Sequence, residues 1–80
     1  MTREEFMAAV TDEHIRPSAF SLGDGGQDEC YILEGGSSNW NVYYSERGLV
    51  TQQRYFGSET DALQHLIVTL RNDPSTRLAI

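Results

Sequence analysis

Apolar and polar positions alternate most regularly between Asn39 and Phe56. Trp40, Val42 and Tyr44 fall on one face of an extended strand, and Asn39, Asn41, Tyr43 and Ser45 fall on the other. Ser45-Glu46-Arg47-Gly48 reads as a turn in which Gly48 takes a positive φ, and Leu49 to Phe56 is the returning strand. Upstream, Cys30-Tyr31-Ile32-Leu33 forms the apolar centre of a strand from Glu29 to Glu34, followed by a turn at Gly35-Gly36-Ser37-Ser38. The period changes on both flanks. Thr2-Arg3-Glu4-Glu5 fits a capping box opening a helix over about Arg3 to Glu13, with Phe6, Met7 and Val10 at helical spacing. Ser58 caps a second helix carrying the stripe Ala62, Leu63, Leu66, Ile67 and Leu70, stopped by Asn72-Asp73-Pro74. Pro17 to Leu22 is an extended arm or a short edge strand, and Gly23 to Asp28 is a loop by composition.

The expected architecture is therefore α+β in one domain over 1–80: a three-stranded antiparallel β-meander with an N-terminal and a C-terminal helix on one face. If Trp40, Val42 and Tyr44 face the helices, Tyr43 faces outward, and Tyr31 and Tyr55 join it depending on register. Such a tyrosine cluster, rimmed by Asp28, Glu29, Glu34 and Glu46, has the composition of a protein-binding surface. Ordinary cross-strand aromatic pairing accounts for the same tyrosines equally well.

Charge narrows the partners. Twelve acids stand against six bases, a net charge of −6, and every base is arginine. That field repels phosphate backbones, so nucleic acid is an unsuitable partner and a basic protein a suitable one. Plain solubility explains the same surplus. The helix–strand–strand–strand–helix order is shared with double-stranded-RNA-binding domains, but a second helix opening Ser58-Glu59-Thr60-Asp61 would meet phosphate with negative charge.

Candidate chemistry is sparse. The Gly23–Gly26 loop lacks the Gly-Lys-Ser/Thr ending of a phosphate cradle, and it lacks the ligand pattern of a calcium loop. Cys30 is the only cysteine, and His14 and His65 sit on separate helices, so nothing local marks an activated nucleophile. The acid pairs Glu4-Glu5, Asp12-Glu13 and Asp28-Glu29 are sequence neighbours and point apart. No enzymatic role, metal or cofactor is expected. With no apolar signal core or membrane span, the expected compartment is the cytoplasm.

Trp40-Asn41-Val42-Tyr43-Tyr44-Ser45-Glu46-Arg47-Gly48, then Arg54-Tyr55-Phe56, Ser58-Glu59, Ala62-Leu63 and Asp73-Pro74-Ser75-Thr76-Arg77, resembles a group of small bacterial immunity proteins encoded beside polymorphic or contact-dependent toxins. The likeness spans about Glu29 to Arg77 and departs at Gln52-Gln53, where a charged residue or glycine is expected. It implies a non-catalytic inhibitor that binds a cognate toxin protein, nuclease toxins among them, and blocks its active site. Tyr31, Tyr43, Glu46 and Arg47 would lie at the contact, with Asp28, Glu29 and Glu34 supplying charge. An intracellular interaction or regulatory module, dimerising through the open sheet face, is the alternative expectation.

Overall fold

The computed structural model describes residues 1–23, 29–36 and 38–77. It is an α+β fold with two helices and a four-stranded mixed sheet. Helix α1 (Arg3–Asp12) opens on the expected capping box. Thr2 Oγ1 accepts from the Glu5 amide, and Glu5 Oε1 accepts from the Thr2 amide. After a 3₁₀ turn at Pro17–Ala19, strand β1 (Phe20–Leu22) forms one edge of the sheet. Strands β2 (Cys30–Gly36), β3 (Asn39–Glu46) and β4 (Leu49–Phe56) follow, and helix α2 (Glu59–Arg71) covers them.

The sheet order is β1-β2-β3-β4, with β2-β3-β4 the antiparallel meander and β1 parallel to β2. The three-stranded expectation is corrected on this point. Of the two readings open for Pro17 to Leu22, an extended arm or a short edge strand, the pairing with β2 selects the strand at Phe20–Leu22. Strand β2 also runs on through Gly35 and Gly36, where a turn was expected. Gly35 has φ +129, and a Cβ there would strike the backbone of Asn39 and Trp40. Only glycine lets the two strands close at this rung.

Trp40, Val42 and Tyr44 do face the helices. Val42 is buried, and Trp40 and Tyr44 pack half-buried against a core of Phe6, Val10, Phe20, Tyr31, Leu33 and the α2 stripe. The five stripe residues of α2 are all fully buried, which is the apolar face read from their spacing. Phe6 meets Phe20 edge-on at 5.2 Å between ring centroids, tying α1 to β1. Arg71 forks onto Glu13 with bonds of 2.8 and 2.9 Å, and Arg3 reaches Glu59 at 2.8 Å, so ion pairs clasp the helices at both ends.

The hairpin turn holds Arg47 at φ 52 and Gly48 at φ 80. Positive φ at both central residues is the type I′ arrangement, whose twist matches that of the flanking strands. Further along, a β-bulge sets Gln52 and Gln53 against the single residue Tyr43, with Gln52 at φ 57. The departure from the immunity-protein pattern therefore falls on the bulge.

Candidate functional site

Register decides which side chains share the face turned away from the helices. Glu34 on β2, Asn41 on β3 and Tyr55 on β4 are direct cross-strand neighbours and form one row. The next row holds Ile32 and Tyr43, and the one beyond it Cys30, Ser45 and Val50. This face is graded. Ser21, Cys30 and Ile32 are buried at its β1–β2 side, whereas Glu34 and Tyr55 are exposed, Tyr55 by 65%. All of β4 except Phe56 is exposed.

Tyr43 lies half-buried on this face and donates its hydroxyl to the Glu34 carboxylate. Burial and then that bond push its pKa up, since both disfavour the phenolate. The side-chain carbonyl of Asn41 is the odd group in the row. Its Oδ1 is shielded from water and receives no hydrogen bond among the described residues. A shielded acceptor without a donor is costly and uncommon in folded proteins.

The placement of Tyr31 is corrected. It belongs to the helix face, is only 6% exposed, and meets Tyr44 edge-on at 4.9 Å. Its hydroxyl donates to Asp73 Oδ2 at 3.0 Å and also takes a hydrogen bond from the Gln52 side chain. Burial, reinforced by Asp73, pushes the Tyr31 hydroxyl up to about 12. Asp73 is itself held below its ordinary value, first by the Ser75 hydroxyl at 2.7 Å, against the opposing effect of burial. Tyr31 is thus a latch that fastens the chain after α2 to the sheet, and it presents no surface for a partner.

The remaining predicted residues divide into two groups. Glu34 and Tyr43 stand together on the far face. Glu29, Glu46 and Arg47 are exposed at the hairpin-turn end, where Cys30 pairs with Ser45 and Glu46 with Leu49. Five residues of strand, roughly 17 Å, separate Glu46 from Asn41. The carboxylates of Glu46 and Glu29 both act on Tyr44, whose pKa is raised chiefly by burial. Asp28 lies outside the described residues. Sequence reading passed over Asn41 because alternation gives its face but not the register that sets it between Glu34 and Tyr55.

The alternative chemistries do not assemble. Cys30 is buried on the far face, while His65 sits on α2 across the sheet, with its ring 5.1 Å from Phe56. Burial and then Arg54 lower the His65 pKa. His14 ends up past α1 with φ 56 and lines a cavity of about 380 Å³ together with mainly apolar side chains, Met7, Val10 and Phe20 among them. Among the described residues no group of three metal-binding side chains is present, and no helix is long and apolar enough to cross a membrane.

Fold and geometry together define a small α+β chain with one aromatic, acid-bearing sheet face. Comparison with protein-family models, curated proteins and solved structures yields no match to this chain.

Proposed function

We propose that the chain is a non-catalytic immunity or inhibitor protein that binds and neutralises a cognate bacterial toxin domain. The observation that carries this reading is the row Glu34–Asn41–Tyr55, with Tyr43 beside it, exposed toward the β4 edge of an acidic chain. Tyrosines offer large contact area at low conformational cost, and the acids complement the basic surfaces with which nucleases hold their substrates. The contact surface combines this row with Glu46 and Arg47 at the hairpin turn, and Glu29 adds charge. The likeness of Tyr43-Tyr44-Ser45-Glu46-Arg47-Gly48 to immunity proteins supports the same reading.

Co-expression with the toxin domain encoded by the neighbouring reading frame tests it. The expected result is a stoichiometric complex and loss of toxin activity. Absence of any complex, or a gene lying among metabolic enzymes, would overturn it. A second reading, a homodimeric interaction module, is favoured by Leu49 and Val50, exposed at 69% and 51% beside the β4 edge. Sedimentation over a range of concentrations separates the two, because the dimer requires a mass that rises with concentration.

A further inference from the structure

The far-face row has a chemistry narrower than "acidic and aromatic". Glu34 supplies a carboxylate, Asn41 Oδ1 supplies an acceptor that has no donor among the described residues, and Tyr55 supplies an exposed ring at the opposite end. Tyr43, from the adjacent row, acts as a donor to the Glu34 carboxylate. Every vacancy in this set asks for an N–H donor that is planar, cationic and able to lie on an aromatic ring. We infer that Glu34, Asn41, Tyr43 and Tyr55 form a subsite for one arginine side chain of the partner protein, its guanidinium donating to Glu34 and Asn41 while stacking on Tyr55.

The inference rests on the proposed protein-binding role and gives it a chemical specificity. Arginine fits better than lysine. A guanidinium presents several donors in one plane and stacks on rings, whereas an ammonium is a compact, strongly hydrated point charge. Lysine would satisfy Glu34 but leave the ring contact weak. The Asn41 carbonyl is shielded in the free protein, so the side chains around it must shift as the arginine enters. Such a site trades stability for recognition, because the unsatisfied acceptor is tolerated in the free fold and satisfied only in the complex.

The test needs no knowledge of the partner. N-acetyl-arginine amide is titrated into the full chain while the Asn41 side-chain amide and the Tyr43 and Tyr55 rings are followed by NMR. The lysine and citrulline analogues serve as competitors. Arginine should shift all three residues saturably, lysine more weakly, and uncharged citrulline about tenfold or more weakly still, as loss of a charge-assisted bond implies. Glu34→Gln should weaken the arginine response by a similar factor. Asn41→Val should weaken it too while raising the denaturation midpoint, a combination a merely structural asparagine would not give. Equal responses to arginine and citrulline, or a response unchanged in Glu34→Gln, would overturn the subsite. A toxin complex that forms while the arginine probe leaves Asn41 unmoved sinks the subsite and leaves the inhibitor role standing. An arginine response in a chain that inhibits no toxin does the reverse.

Discussion

Tyr31 and Tyr43 stand on opposite faces of the same pair of strands, and each donates its hydroxyl to a carboxylate. Tyr31 is sealed beneath the helix layer, and its acceptor Asp73 belongs to the chain just past α2, 42 residues away in sequence. Tyr43 is half-buried, and its acceptor Glu34 is an exposed residue on the neighbouring strand. The same two functional groups therefore do different work. On the helix face the bond closes the fold, and on the far face it orients a carboxylate that still meets water. Residue type alone does not separate a buried latch from a pair that faces water. Burial and the identity of the acceptor do.

The sharpest way to break this comparison is to truncate both sides. Tyr31→Ala should destabilise the chain by about 3–5 kcal/mol, the range for deleting a large buried aromatic. Tyr55→Ala, at the exposed end of the far-face row, should stay within about 0.5 kcal/mol while weakening partner binding. Urea denaturation reads the first and a binding titration the second. If Tyr55→Ala unfolds the chain, the far face is a second core and no docking surface remains.

Gly35→Ala comes next. The new methyl meets main chain, and the φ of +129 is hostile to any L side chain, so the expected cost exceeds about 1 kcal/mol. The hydroxyl deletions are smaller and more discriminating. Tyr31→Phe takes the phenol donor from the partly buried Asp73 carboxylate and should cost about 1–3 kcal/mol, as expected for a bond to a charged group. Tyr43→Phe leaves Glu34 free to take its bonds from water and should cost less than about 1 kcal/mol. Equal penalties in the two variants would erase the distinction between the faces.

How much of this was legible beforehand depended on range. The capping box at Thr2 and Glu5, the α2 stripe and the inward set Trp40, Val42 and Tyr44 are local periodic signals, and they appear where the spacing puts them. The face of Tyr31 is not legible in sequence because its strand is apolar from Cys30 through Leu33, so no alternation marks which face is core. The answer came from its register with Tyr44 and from Asp73, both distant in sequence. Phe20–Leu22, readable from sequence as part of an arm or a short edge strand, is decided by its parallel pairing with Tyr31 to Leu33. The candidate site is the least legible part: alternation turns Tyr43 outward and leaves Glu34 among the acids of a rim, while register sets Glu34, Asn41 and Tyr55 in one row and puts Glu46 and Arg47 at the hairpin end.

Protonation sharpens the contrast without changing a residue. Asp73 is held below 3.8, so its contribution is present above that value and is lost as pH falls through its lower folded value. His65 is also depressed from 6.5, and its contribution is likewise lost on acidification below that pH. Tyr31 runs the other way. Its hydroxyl is raised from 10.0 to about 12, so the folded chain holds the proton more tightly than the unfolded chain. The contribution is whole below pH 10.0 and drains away as pH rises toward 12. Denaturation midpoints across the alkaline range should therefore fall, and Tyr31→Phe should flatten that fall. An unflattened slope would mean that Tyr31 is not the sealed member of the pair.

The smallest expected effect concerns only the far face. If the acidic field there steers a basic partner, raising ionic strength should slow association while leaving dissociation nearly constant, because screening acts on encounter between exposed charges. Glu34→Gln should make the association rate less sensitive to salt. Asp73→Asn should change that sensitivity less, because Asp73 is bonded to Tyr31 on the helix side of the sheet, away from the far face. Rapid-mixing kinetics at several salt concentrations measures both. A salt dependence that moves equally in the two variants would show that the partner senses total charge and not the face on which Glu34 stands.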